Sequence, residues 1–272
     1  MSLTNQMING RRERDCISIT HERKYYRSGG TFVKRSLRPK EWQVSQFKGT
    51  IHVPRKGRER ILNEAATLQF LKENSTVPVP RLYCCFEDDD AVYLVMEYIE
   101  GVSMADLTED QRATVERELG KHIQQLHALR SSKLGGPSGL VIPPYRAMQK
   151  TFRDDWELQP SDEDDYVFCH NDLSQQNVIV DPASLEIKAI IDWEYAGFYP
   201  AYFERTFFKR KGPSAAINDE TDDSELNTMV REEIKLKLVV FVVYSTVATT
   251  SLVSSSPSSS PSSSSISNIP YL

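Results

Sequence analysis

The chain has 272 residues, of which 39% are hydrophobic and 26% charged, and a formal net charge of -5. That length allows two lobes or one large domain with a substantial core. The charge is unevenly spread: residues 1–60 hold fifteen Lys/Arg against five Asp/Glu, leaving -15 for the remainder. No recognisable nucleic-acid-binding module accompanies the basic region, so it reads as a phosphate-facing or solvated surface rather than a nucleic-acid interface.

Residues 1–20 carry no firm element, and MSLTNQMINGRRERD lacks the apolar core of a secretory signal. Residues 24–27 and 31–35 flank Ser28-Gly29-Gly30 and read as a hairpin with a Gly-rich turn. Residues 38–57 read as an insertion whose exposed, basic end is Arg55-Lys56-Gly57-Arg58. Ile61, Ala65, Leu68 and Leu71 recur at helical spacing and predict a helix over 58–72. Val77-Pro78-Val79-Pro80 ends it, because proline turns its predecessor away from helical geometry. A second hairpin is expected from 81–86 and 92–98, around Glu87-Asp88-Asp89-Asp90.

Thr108 and Gln111 fit a capping box, and Val115, Leu119, Ile123 and Leu126 extend an amphipathic helix to about residue 130. His122 and His127 on it read as structural or solvated. Gly135-Gly136-Pro137-Ser138-Gly139 and Pro143-Pro144 mark a loop, 146–156 a further helix, and 161–165 an acidic connection. Residues 238–253 are sixteen uncharged residues with several Ser/Thr, short of the about 20 that a membrane helix needs. A span there is the weaker alternative. Eleven of the fourteen residues from 254 to 267 are Ser, a composition that cannot bury a core and is expected to be disordered. The four cysteines show no C-x-x-C spacing, so reduced thiols in a cytoplasmic protein are the simpler expectation. Neighbouring Cys84 and Cys85 should face opposite sides of a strand.

The chemistry concentrates in 166–197, YVFCHNDLSQQNVIVDPASLEIKAIIDWEYAG. Its runs 166–169, 178–180 and 187–191 are β-branched and aromatic and read as short strands, with Asp181-Pro182-Ala183-Ser184 as a turn. His170, Asp172 and Asn177 have the H-x-D-x-x-x-x-N spacing of a kinase catalytic loop, and Asp192 follows twenty residues after Asp172. Asp172 can accept the proton of an attacking hydroxyl. Asn177 and Asp192 offer the hard oxygen ligands that Mg²⁺ prefers. One such acid alone would cap a turn or end a buried strand; three groups at this spacing, within this strand pattern, point to phosphoryl transfer.

The wording HNDLSQQN…IIDWEYAGFYP is similar to fungal members of the aminoglycoside phosphotransferase family, small-molecule kinases with a protein-kinase-like fold. Its YAG stretch also resembles choline and ethanolamine kinases. The resemblance covers roughly residues 20–212 and implies an α+β, two-lobed protein-kinase-like fold with a small β-rich N-lobe and a larger helical C-lobe. On that reading 1–20 is an extension, 21–99 the nucleotide-binding N-lobe, 100–235 the C-lobe, and 236–272 the apolar run with its Ser-rich tail. It further implies ATP and Mg²⁺, with Lys34 on the phosphates, Glu64 as its partner, and the backbone of Glu97 and Ile99 as the adenine-binding hinge. No G-x-G-x-x-G is present, and His170 is expected to support the loop rather than transfer protons.

The acceptor implied is a small-molecule hydroxyl. Trp193, Tyr195, Phe198 and Tyr199, beside Asp192 and Glu194, suggest a cationic one, unless these rings are core. Asn171 stands where regulated protein kinases often carry Arg, and no A-P-E follows, so a protein kinase is the weaker reading. After about Asp223 the sequence departs from the family. This keeps open a second class of function: a non-catalytic nucleotide-binding or interaction protein.

Overall fold

Five antiparallel strands build the N-terminal lobe, and their side-chain alternation decides which face is buried. They are β1 (Cys16–Ile19), β2 (Arg23–Ser28), β3 (Thr31–Ser36), β4 (Leu82–Asp88) and β5 (Ala91–Glu97), in the order β1-β2-β3-β5-β4. The computed structural model describes residues 10, 12–45, 49–151, 166–217 and 220. All lie in the first of the chain's two units, Met1–Leu226; the second, Asn227–Leu272, is outside them. The apolar run, the Ser-rich tail, the acidic connection and the expected helix beyond residue 151 are therefore outside the described residues.

In β5 Val92, Leu94 and Met96 are buried at alternate positions. They share one core with Ile61, Ala65, Leu68 and Leu71 of helix α1 (Gly57–Asn74), the apolar spacing that predicted that helix. Both expected hairpins are present. Cys84 is exposed and Cys85 half-buried, and all four cysteines are free.

Strand β1 was not anticipated. Its Ile17 is 47% exposed while Cys16 is buried, so the short run shows no apolar alternation, and pairing to β2 is what defines it. The insertion is also better anchored than its composition suggests. Glu41, in a 3-10 turn at Pro39–Glu41, pairs with Arg35 at 2.6 Å and with Lys24 at 2.9 Å. Arg55 donates to the Met148 carbonyl at 3.0 Å, and Gly57 already belongs to α1, so of the basic stretch only Arg58 is exposed.

The second lobe begins with β6 (Val102–Ser103) and helix α2 (Glu109–Ala128), followed by β7 (Arg130–Ser131), α3 (Tyr145–Thr151), β8 (Tyr166–Cys169), β9 (Val178–Val180), β10 (Ile187–Ile190) and β11 (Gly197–Tyr199). Two small antiparallel sheets result, β10-β9-β6 and β11-β8-β7. The capping box forms as expected: Thr108 Oγ1 accepts from Gln111 N, and Gln111 Oε1 accepts from Thr108 N. Val115, Leu119 and Leu126 of α2 share the core with Phe168, Val178, Val180 and Ile190 of these sheets. The arrangement is α+β and two-lobed, as the kinase resemblance implied. No helix among the described residues is long and apolar enough to cross a membrane.

Candidate functional site

Strand β8 delivers the chain to His170, which is fully buried and whose Nε2 lies 2.9 Å from the Ile191 carbonyl. The Asp172 N–H donates to His170 Nδ1 at 3.2 Å. An Nδ1 that accepts leaves the proton on Nε2, where it donates to Ile191. Burial, only partly offset by the Ile191 carbonyl and Asp192, lowers the His170 pKa to about 4, so the ring is neutral. It braces the loop, as expected.

Asn171 sits in the left-handed region at φ 68° and donates from Nδ2 to the Tyr195 carbonyl at 2.9 Å. Its own carbonyl accepts from buried Arg146 at 2.8 Å. Asn177 donates from Nδ2 to the Asp172 carbonyl at 2.8 Å, while its carbonyl accepts from Ile191 N at 2.9 Å. The β9–β10 pairing thus sets Asn177 beside Asp192, and the Asn177 side chain fixes the backbone that carries Asp172.

Asp192 is also left-handed, at φ 68°, with Ile191 between it and the end of β10 at Ile190. Its Oδ1 accepts from Lys34 Nζ at 2.6 Å, and the same ammonium donates to both Glu64 oxygens at 2.7 and 2.8 Å. Burial opposes the charge on Lys34, but Asp192 and then Glu64 outweigh it and raise its pKa. Burial likewise opposes the charge on Asp192, yet Lys34 and Arg23 hold its pKa at about 2. Asp172 behaves in the opposite way. Burial and the neighbouring Asp192 charge push it up to about 7.

Two oxygens remain for a ligand. Among the described residues, neither Asn177 Oδ1 nor Asp192 Oδ2 takes a hydrogen bond. An amide oxygen and a carboxylate oxygen held at the adjoining ends of paired strands β9 and β10 fit a hard divalent cation.

Between the lobes lies a cleft of about 260 Å³, lined by Phe32, Lys34, Glu97, Ile99, Ile191 and Asp192 among others. The Glu97 N–H is engaged by the Arg81 carbonyl at 2.9 Å and the Tyr98 N–H by Gly30 at 2.9 Å, whereas Ile99 N makes no such bond among the described residues. Gly101 closes the inner edge. A Cβ there would stand 2.7 Å from Ile179 Cγ2 and from the Val180 carbonyl, so the connection can run this close to β9 only without a side chain. A larger cavity, about 570 Å³, lies around Trp42, Arg58 and Glu87–Asp90, away from these groups. Of the seven residues singled out from the sequence, Lys34, Asp192, Glu97 and Ile99 line this cleft, Glu64 pairs with Lys34, and Asp172 and Asn177 sit on the loop that Asn177 ties to the residue before Asp192.

A polar stripe on α1 escaped the sequence reading. Arg60 donates to Glu22 at 2.5 Å, to Glu194 at 3.4 Å and to the Tyr195 hydroxyl. Asn63 donates to the Glu194 and Ala196 carbonyls at 3.1 and 2.9 Å. Arg23 pairs with Glu194 from β2. The signal was the spacing of Arg60, Asn63, Glu64 and Thr67, polar residues on one helical face and all buried. Glu204, which accepts from His170 N, and Ser214, which donates to Asp172, left no comparable trace.

The aromatic cluster resolves as core. Trp193, Tyr195 and Tyr199 are at most 2% exposed, and Phe198 packs on Phe70 and Phe168. Tyr199 donates to the Ile142 carbonyl at 2.7 Å, Trp193 Nε1 donates to the Ile190 carbonyl at 2.7 Å, and Glu194 is taken by Arg23 and Arg60. These residues form no wall for a cationic acceptor.

The pattern of the phosphotransferase enzyme family matches residues 20–216. The aminoglycoside 3'-phosphotransferase of Streptomyces fradiae is 28% identical over 151 residues, which are 47% of this chain and 56% of that protein. The chain thus spans about half the length of that relative. A crystal structure of an aminoglycoside-3'-phosphotransferase of type VIII shares 22% identity with a TM-score of 0.45, covering 72% of this chain and 77% of that one. A thermostable APH(4)-Ia variant in ternary complex with AMP-PNP and hygromycin B shares 17% with a TM-score of 0.46, covering 70% and 68%. The family match takes in Lys34, Glu64, Asp172, Asn177 and Asp192, and on its extent the chain belongs to the phosphotransferase enzyme family.

Proposed function

We propose that the chain transfers the γ-phosphoryl group of Mg-ATP to a hydroxyl of a small molecule. The observation that carries this reading is the Lys34 ammonium held between Glu64 and Asp192 at the cleft, with Asp172 and Asn177 on the adjoining loop. Adenine takes the cleft wall, meeting the Glu97 carbonyl and the Ile99 N–H. Lys34, oriented by Glu64, holds phosphate oxygens, and Asn177 Oδ1 with Asp192 Oδ2 holds Mg²⁺. The cation, when bound, supplies neutralisation of the charge on the transferring group. Asp172 orients the acceptor hydroxyl and takes its proton, a role that suits a carboxylate raised to about 7.

The test is nucleotide titration beside ADP release, with a panel of neutral and cationic alcohols, for the parent, Asp172→Asn and Asp192→Asn. Asp172→Asn is expected to keep Mg-ATP affinity and to lower turnover by roughly 10²–10⁴-fold. Asp192→Asn is expected to weaken Mg-ATP binding as well. Equal loss of affinity in both variants means these two roles are wrongly divided. A parent that binds Mg-ATP and turns over no acceptor makes the chain a non-catalytic nucleotide binder.

A further inference from the structure

The hydroxyl of Ser214 donates to Oδ1 of Asp172, the carboxylate assigned above to an incoming alcohol. Ser214 is half-buried and does not reach that position on a loose strand. The Arg210 guanidinium folds the segment back on itself. It donates to the Pro213 carbonyl at 3.0 Å and the Ala215 carbonyl at 2.7 Å. It also clasps Glu220 through Nε and Nη2, both at 2.5 Å. Glu220 in turn accepts from Ile217 N at 3.1 Å, and Gly212, at φ 123°, supplies the reversal before Ser214. The guanidinium lies 4.9 Å from the centroid of Phe207, whose ring is buried in the second lobe. A primary alcohol is thereby presented to Asp172 by a five-donor fork anchored on the core.

We propose that Ser214 is an internal phosphoryl acceptor, modified by this protein's own active site from the ATP of the reading above. The inference rests on the phosphotransferase reading above and adds a substrate to it: the chain itself. In the step, Ser214 Oγ forms a bond to the γ-phosphorus while the bond from that phosphorus to the β,γ-bridging oxygen breaks. The hydroxyl proton passes to Asp172, and the nucleoside diphosphate leaves with the bridging oxygen's electron pair. The phosphoserine formed carries about -1.5 to -2 charge. Set beside Asp172, that charge repels the segment, so the modification clears Asp172 for an external alcohol.

The experiment incubates the full chain with Mg-ATP and follows intact mass and phosphopeptide maps, with nucleotide binding measured in parallel. One phosphate per chain at Ser214 is expected, at a first-order rate independent of protein concentration. Ser214→Ala should abolish it. Arg210→Ala should slow it tenfold or more while leaving Mg-ATP affinity unchanged, because Arg210 touches the segment and not the cleft. Phosphate confined to other serines, such as those of 254–267, overturns the inference, as does a rate proportional to protein concentration. A chain that phosphorylates an added alcohol but leaves Ser214 bare overturns this inference alone. A chain that does not bind Mg-ATP overturns the phosphotransferase reading with it. The map on the parent protein stands even where a variant fails to fold.

Discussion

Lys34 is a cation almost removed from water. Its side chain is 6% exposed and that of Glu64 1%, so each depends on the other for its charge. Removing one member of such a pair strands the other, at a cost of about 3–5 kcal/mol. Lys34→Met is therefore expected to lower the unfolding free energy by about that amount. Lys34→Met combined with Glu64→Gln should recover part of it, since Glu64 then leaves no lone buried charge while Asp192 still loses its Lys34 partner and keeps Arg23. Neither variant should bind Mg-ATP as the parent does, because the cation proposed to hold the phosphates is gone from both. Urea unfolding beside nucleotide titration separates the two effects. Parent-like affinity in the double variant would remove Lys34 from the nucleotide site.

Elements near the cleft and far from it should respond differently to small changes. Thr108 closes the first turn of α2 and is exposed, well away from Lys34 and Asp192. Thr108→Ala should cost about 1 kcal/mol, the usual worth of an N-cap, and leave Mg-ATP affinity unchanged. Gly101 sits where the hinge crosses β9, and its added methyl would meet a backbone carbonyl that has no rotamer with which to yield. Gly101→Ala is expected to cost about 1–3 kcal/mol by overpacking and to weaken Mg-ATP binding as well, since Gly101 lines the cleft. Thermal melts with and without nucleotide read both: a ligand-induced rise in Tm preserved in Gly101→Ala would mean that the hinge is not set by this contact.

At the scale of the whole molecule, buried polar groups tie the lobes together beside the shared core. Arg23 from β2 and Arg60 from α1 converge on Glu194, just past Asp192, so the turn that carries Asp192 is held from the N-terminal lobe. Glu204 is a different case, a carboxyl held within the second lobe. It accepts from the His170 backbone and faces Arg146, His127 and Cys169. Burial raises its pKa from 4.5 to about 7, against the pull of the His170 N–H and Arg146. The fold therefore favours the protonated acid. Its contribution to stability is fully present below about pH 4.5 and is lost as the pH rises through about 7. Burial lowers the His127 pKa and raises that of Cys169, so neither supplies a charge that cancels this fall at neutral pH. The melting temperature of the parent relative to Glu204→Gln should accordingly drop by a few degrees between pH 5 and 8. A difference that stays constant over this range would show that Glu204 is ionised throughout.

By itself the sequence determined the parts whose signal is local. Strand alternation, the apolar spacing of α1 and α2, the Thr108–Gln111 cap, and the His170–Asp172–Asn177 spacing are properties of short windows, and each reappears in the structure. Lys34 and Glu64 were reached only through resemblance, because a lysine on a strand and a glutamate on a helix say nothing of one another until β3 and α1 are packed. Tertiary structure alone decided the rest. It buried the rings after Asp192, which composition had left free to line a pocket, and it turned the polar face of Arg60, Asn63 and Glu64 inward. Whether a polar side chain is solvated or buried depends on what the fold places opposite it. For Arg60 the groups placed there are Glu22, Glu194 and Tyr195, up to 135 residues away along the chain.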